Sequence, residues 1–386
     1  MINTEYFNVE IDEVSIDPDR PPFSDYKPDM EMIRRKAEKQ EFDNLVVIGN
    51  GGSVTSFRAY MKALGKNTDK EAYIVTTMEP EYLSKLSSKL KPSNTLVMPI
   101  SKSGETVGVI EALLHFMEKG FPVFAVTSDN EGALKKIVDR KDFDFIEHPD
   151  ISGRFTGATE TALVPAAFMG LDAKSIRKGA EKTYEKFEKE NNNVAKKAAK
   201  ILYAAEKEGI DKVFTPFYST ELFGFYPLFV QLMHETVCKK GKGQTFFGDI
   251  GPECQHHTIQ RIFGGADDVV TMLFHLSQHK STFLKVGKEF NGITVRGKSL
   301  TDFDGFELGN SLFSELKGVK EALKIDNKPL IDIELDKIGP STCGELLAFM
   351  QYLAYYSAVL RGLNPFNQPD VEKSKEIGFQ KRFKGD

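Results

Sequence analysis

The chain has 386 residues, long enough for two domains of common size, and its 51 Lys and Arg against 56 Asp and Glu leave a formal net charge of −5. That balance excludes general nucleic-acid binding, which needs a basic face, and three Cys without CxxC spacing exclude a disulfide framework and a structural zinc site. No apolar stretch approaches the roughly 18 residues of a membrane span, and the Met-Ile-Asn-Thr-Glu start is polar without a signal-peptide core, so a soluble cytoplasmic protein is expected.

Residues 1–29, rich in Asp and Pro, read as a segment that wraps the surface without a core of its own. A helix is expected from Met30 to about Glu41, and an αβ rhythm follows. Leu45–Ile48 reads as a buried strand, closed by Gly49-Asn50-Gly51-Gly52-Ser53 and a helix from Val54. Further strands are expected at Ala72–Thr76, Leu96–Ile100, Pro122–Thr127 and Phe143–Ile146. Strands separated by helices of this length predict a parallel sheet covered on both faces.

A charged helical stretch follows from Ala173 to about Glu208, broken near Asn191-Asn192-Asn193, whose Lys/Glu pattern reads as a solvated face with i,i+4 pairs. It leads to a second αβ unit with strands at Lys212–Pro216, Asp268–Phe274 and Pro329–Glu334 and helices around Glu221–Lys239 and Cys343–Leu360. Two units of similar size suggest a duplicated architecture. The expectation is an α/β protein with units at 30–200 and 201–363, and a polar tail, 364–386, packing back on the body. Thirty Phe and no Trp carry no functional reading.

The run Ser101-Lys102-Ser103-Gly104-Glu105-Thr106 carries the most chemistry. It lies between the strand ending at Ile100 and a helix beginning at Val107, so hydroxyls, an ammonium and a glycine gather at the positive end of a helix. One Ser or Thr there is an ordinary N-cap. Three flanking a Lys and a Gly point to an anion, and a phosphate above all.

The first glycine turn invites a dinucleotide reading, but GxGxxG needs a third glycine where the chain has Val54. What survives is that Gly51 and Gly52 let backbone approach a ligand, with Ser53 donating at the helix start. Both turns leave C-terminal strand ends, where open α/β sheets bind ligands, and they read as one site.

Three other places look chemical. Arg154 sits in the small-residue turn Ser152-Gly153-Arg154-Phe155-Thr156, as an anion stabiliser, a helix anchor or a surface residue. Glu235 follows the apolar run Phe229–Met233, where desolvation would raise its pKa toward useful base strength; the alternative is an exposed helix Glu paired with Lys239 at i+4. Gln255-His256-His257 follows Cys254; adjacent residues on a helix point apart, so one His facing a site and the other packing inside is simpler than joint metal ligation. His275 and His279 read as structural.

In their order, these segments resemble the phosphoglucose isomerase family, built from paired sugar isomerase (SIS) domains, over about residues 40–380. Ile48–Ser53 resembles the family's first glycine turn, Ser101–Thr106 its phosphate loop, Gly153–Thr156 its GGRFS-type motif and Gln231–Lys239 its ES-G-K segment. Gln255-His256 matches its QH pair, and Asn364–Lys375 its C-terminal NPFDQ-GVELGK signature. Thr236-Val237-Cys238, Cys254 and Thr156-Gly157 depart from the family pattern beside functional positions, where they could retune sugar preference.

The resemblance implies two SIS-type αβα units and interconversion of glucose 6-phosphate and fructose 6-phosphate through a cis-enediol, in glycolysis and gluconeogenesis. It implies that Glu235 moves the proton, that His256 and Lys375 assist ring opening, and that Arg154 faces the developing oxyanion. Ser101, Lys102, Ser103 and Thr106 would bind phosphate, with Gly51, Gly52, Ser53 and Gln255 lining the pocket. No cofactor or metal is implied, and a homodimer sharing its active site is. Alternatives are a dual phosphoglucose/phosphomannose isomerase or a non-catalytic SIS protein that senses a sugar phosphate.

Overall fold

The computed structural model describes residues 2–383 apart from Asp12 and Asp17. Its strands in chain order are β1 (Ile2–Phe7), β2 (Asn44–Ile48), β3 (Glu71–Val75), β4 (Thr95–Ser101), β5 (Phe124–Thr127), β6 (Asp144–Glu147), β7 (Lys212–Phe217), β8 (Thr245–Ile250), β9 (Val269–Leu276), a short hairpin of β10 (Thr294–Val295) and β11 (Lys298–Ser299), and β12 (Leu330–Leu335). They build two five-stranded sheets, ordered β3-β2-β4-β5-β6 and β1-β12-β9-β7-β8. The first is parallel throughout, and in the second only β1 runs antiparallel. The same order recurs as β3-β2-β4-β5 and β8-β7-β9-β12, which makes the suspected duplication explicit.

Strand faces alternate as a pleat requires. Leu45 and Val47 of β2 enter the main core, while Val46 and Ile48 enter a second core on the outer face. Val270, Met272 and Phe274 of β9 and Ile331 and Ile333 of β12 also point into the main core, so each sheet turns one face to a shared interior. The helix Pro340–Leu360 runs through that interior and is buried on nearly all sides, as apolar residues spread around its whole circumference demand. Aromatic rings fill the space beside it: Phe23 stacks on Phe155 at 4.9 Å and meets Tyr352 edge-on at 5.4 Å. Among the described residues no helix is long and apolar enough to cross a membrane.

Several expectations need correction. The N-terminal segment does more than wrap the surface, because β1 pairs along the whole of β12, Ile2 opposite Leu335 through Phe7 opposite Leu330. The strand β8 and the helix Leu308–Ile325 were missed; the Phe-Phe-Gly-Asp-Ile of β8 lacks the β-branched run that marks β2. The charged stretch is two helices, Ala173–Lys189 and Val194–Lys207, and it is not merely a solvated face. Ile176, Tyr184, Phe187, Ala198 and Leu202 line the main core from it.

Candidate active site

The order of the first sheet reverses between β2 and β4, and the two glycine-containing turns leave those two strands. This is the crevice position expected for ligands of open α/β sheets. After β4, Ser101 Oγ lies 3.1 Å from Thr106 Oγ1 and accepts from the Gly104 amide at 3.2 Å. Gly104 is at φ +69°, a left-handed turn suited to glycine. Ser103 Oγ accepts from the Glu105 amide, and Glu105 caps the neighbouring turn by accepting from the Ala133 amide at 2.8 Å. Thr106 makes no side-chain cap to the helix Val107–Glu118, so its hydroxyl stays in the loop with Ser101. Lys102 pairs with Asp150 at 2.7 Å, with side chains 41% and 99% exposed. Such an exposed pair is worth at most about 1 kcal/mol, so an arriving phosphate can take the ammonium over.

After β2, the turn Gly51–Ser53 meets two elements from elsewhere in the chain. Gly51 lies at φ +54° against the Gln231 amide, and Gly52 packs on the Gly153 backbone so tightly that no Cβ fits. The second contact seats the turn Gly153–Ala158, which carries Arg154. That turn is held from behind: Tyr60 Oη donates to the Gly157 carbonyl at 2.8 Å, and Gln351 Nε2 to the Phe155 carbonyl at 2.8 Å.

Arg154 is fully buried and uses its whole fork. Nε donates to Thr236 Oγ1 at 2.8 Å, Nη1 to Glu235 Oε2 at 3.3 Å and to Gln368 Oε1, and Nη2 to the carbonyls of Pro365 (2.6 Å) and Asn367 (3.0 Å). Burial lowers its pKa from the ordinary arginine value and the Glu235 charge opposes this, which leaves a fixed cation. Glu235 lies on the helix Tyr226–Val237, with its side chain 26% exposed. Its other oxygen accepts from Gln231 Nε2 at 3.0 Å, and Gln231 Oε1 accepts from Thr55 Oγ1 at 2.8 Å. The anticipated i+4 partner, Lys239, turns instead to the carbonyls of Asn364 and Asn367 (2.9 Å) and to Asn367 Oδ1 (3.2 Å). Burial first, and then the Arg154 charge, push Lys239 down to about 8, against the opposing pull of Asp370 and Glu235.

One chain therefore brings together Gly51, Gly52, Arg154 and Glu235, with the Ser101–Thr106 loop on the adjacent strand. It does not bring Gln255, His256 or Lys375 into contact with them among the described residues. Gln255 Nε2 donates to Tyr218 Oη at 2.9 Å, beyond the end of β7. His256 is exposed and, among the described residues, makes no hydrogen bond or ion pair. His257 is also exposed, 3.6 Å from Asp249, so the expectation that one of the two packs inside is not met; Cys254 takes the buried position. Lys375 is exposed on the helix Glu372–Lys381, bonded to Glu372 at 2.7 Å. Buried His275 pairs with Asp332 at 3.0 Å inside the second sheet, and His279 meets Phe313 edge-on.

Thr156 and Gly157 prove to be packing residues: Thr156 Oγ1 donates to the Gly153 carbonyl at 2.7 Å, and a Cβ at Gly157 would strike Ser56 and Leu347. Sequence reasoning missed Gln231 as a site residue, although its place one turn before Glu235 puts both on one helix face. Gln368 was missed for another reason: only tertiary structure carries it to Arg154.

This arrangement has the fold of the phosphosugar isomerases. A hypothetical protein from Thermus thermophilus superposes with a TM-score of 0.83 at 24% identity, covering 92% of this chain and 87% of that one. A glucose-6-phosphate isomerase from Chlamydia trachomatis gives 0.78 at 20% identity, covering 97% and 80%. No family model matches the chain. By sequence the chain is related over most of its length to glucose-6-phosphate isomerases: that of Leptospira biflexa is 29% identical over 384 residues, 91% of this chain and 82% of that protein.

Proposed function

We propose that the protein is an aldose–ketose isomerase that interconverts glucose 6-phosphate and fructose 6-phosphate through a cis-enediol. The observation that carries this reading is the Arg154–Glu235 pair, a carboxylate 3.3 Å from a buried guanidinium, beside the turn that adjoins the hydroxyl-lined Ser101–Thr106 loop. A sensor would need the loop and not the pair.

In this reading the phosphate binds the hydroxyls of Ser101, Ser103 and Thr106 and the Lys102 ammonium. Glu235 removes the proton from C2 of the open-chain aldose, and the electron pair forms the C1–C2 double bond as the aldehyde oxygen gains negative charge. Arg154, whose five N–H donors are all held by protein acceptors, stabilises that charge through space with a cation fixed in place. Glu235 returns its proton to C1 while the O2 proton moves to O1, so atoms and charge balance. Gln231, bonded to the second Glu235 oxygen, orients the carboxylate.

His256 and Lys375 are assigned to ring opening, by transfer of the anomeric hydroxyl proton to the ring oxygen. Their exposure suits a homodimer in which the imidazole is presented to the neighbouring chain. The units are taken as 30–200 and 201–363, with 1–29 and 364–386 appended, in a cytoplasmic enzyme of glycolysis and gluconeogenesis. The test is a coupled assay with glucose 6-phosphate and mannose 6-phosphate in parallel, together with sedimentation of the active species. Turnover of the first supports the reading, turnover of both makes the enzyme dual, and turnover of neither with tight binding makes it a sensor.

A further inference from the structure

The turn Asn364–Gln368 is gripped by two cations, and the isomerisation chemistry uses only one of them. The Asn367 carbonyl oxygen accepts from Arg154 Nη2 at 3.0 Å and from Lys239 Nζ at 2.9 Å. Lys239 spends its three donors on this one turn: the carbonyls of Asn364 and Asn367, and Asn367 Oδ1 at 3.2 Å. Its side chain is buried, and among the described residues it forms no ion pair with a carboxylate. Glu235 on the adjoining helix and Asp370 beyond the turn act on it only through space, as does Arg154.

We infer that Lys239 is a positioning residue of the isomerase site: its ammonium holds the 364–368 turn closed, and the turn in turn presents Gln368 to Arg154. The inference rests on the proposed function. An ammonium has three protons for three oxygens, whereas a neutral amine has two and would aim a lone pair at an acceptor. Deprotonation therefore loosens the turn. Among the described residues the segment beyond the turn has few other anchors: the helix Glu372–Lys381 buries none of its residues, and Arg382, which follows it, pairs with Glu111 at 2.9 Å. Opening the turn would thus disturb Arg154 on one side and Lys375 on the other. The environment of Lys239 puts its titration near the upper end of an ordinary assay range, and the charged groups facing it are Arg154, Glu235 and Asp370.

The test compares wild type, Lys239→Arg and Lys239→Met. In wild type kcat is expected to fall as pH rises through about 8. Lys239→Arg, which keeps its charge, should hold its plateau to about pH 9.5. Lys239→Met should be flat across this range, with kcat roughly tenfold to a hundredfold lower and KM little changed, since the phosphate loop is untouched. Hydrogen exchange at pH 7 should be at least about tenfold faster for the amides of 366–368 in Lys239→Met, with the core helix Pro340–Leu360 still protected. Wild-type kcat in Lys239→Met, an alkaline limb unmoved in Lys239→Arg, or unchanged exchange in the turn would each overturn the inference. If wild type does not isomerise sugar phosphates, the functional reading fails, and the exchange comparison still decides whether Lys239 holds the turn.

Discussion

Substituting Gly52 by alanine tests how the site is assembled, at a position with no chemistry of its own. The added Cβ would lie 2.2 Å from the Gly153 carbonyl carbon, 2.3 Å from its oxygen and 2.4 Å from the Arg154 nitrogen. Carbon atoms rest at about 3.5–4.0 Å, so the two turns must part by roughly 1 Å, and no rotamer change can relieve a clash with backbone. A displacement of that size at the Arg154 turn costs about a hundredfold in kcat, or about 2.7 kcal/mol of transition-state stabilisation. Overpacking costs about 1–3 kcal/mol of stability besides. The assay is steady-state conversion of fructose 6-phosphate, with a thermal melt to show that the variant is folded. The expected result is a large loss of kcat and a KM within severalfold of wild type, because the Ser101–Thr106 loop hangs from a different strand. A folded Gly52→Ala enzyme within twofold of wild-type activity would refute the argument that this close approach sets the place of Arg154.

Removing both loop hydroxyls, Ser101→Ala with Thr106→Val, deletes two hydrogen bonds to a charged ligand at about 1.5–3 kcal/mol each, so KM should rise at least about a hundredfold while kcat changes little; an unchanged KM would take the phosphate away from this loop. His148 is buried, its Nε2 has no partner among the described residues, and burial lowers its pKa to about 4 from the ordinary 6.5. Between those values the unfolded chain binds the proton and the folded one does not, so this group lowers stability as pH falls from 6.5 to 4, by up to about 3 kcal/mol. Urea melts at pH 7 and pH 4.5 should show a smaller acid loss in His148→Leu than in wild type, and equal losses would show that His148 is not excluded from protonation.

How much could be read from the chain alone depends on the range of the interactions involved. The strands β2, β4 and β9 are central and buried on both faces, so each is a dense apolar run visible by itself. The strand β8 lies at an edge, is only partly buried and left no such mark. The strand β1 exists only through its pairing with a segment more than three hundred residues away. In the site, the Ser101–Thr106 loop is local, and its residue types announce it. The Arg154 network is not local, since its acceptors lie 81 to 214 residues further along the chain. Motif order suggested that Arg154 and Glu235 work together, yet only the fold shows that Lys239 abandons its helical neighbour for the C-terminal turn.

The central claim is that Glu235 moves a proton between C1 and C2 of a sugar phosphate. It is tested most directly by incubating wild type and Glu235→Gln with fructose 6-phosphate in deuterium oxide and following label and product by NMR. The account predicts glucose 6-phosphate carrying deuterium at C2 from wild type. It predicts at least about a hundredfold less product and label from Glu235→Gln, which should still bind the sugar phosphate. Bound sugar that stays unlabelled and unconverted with wild type, or labelling by Glu235→Gln at the wild-type rate, would contradict it.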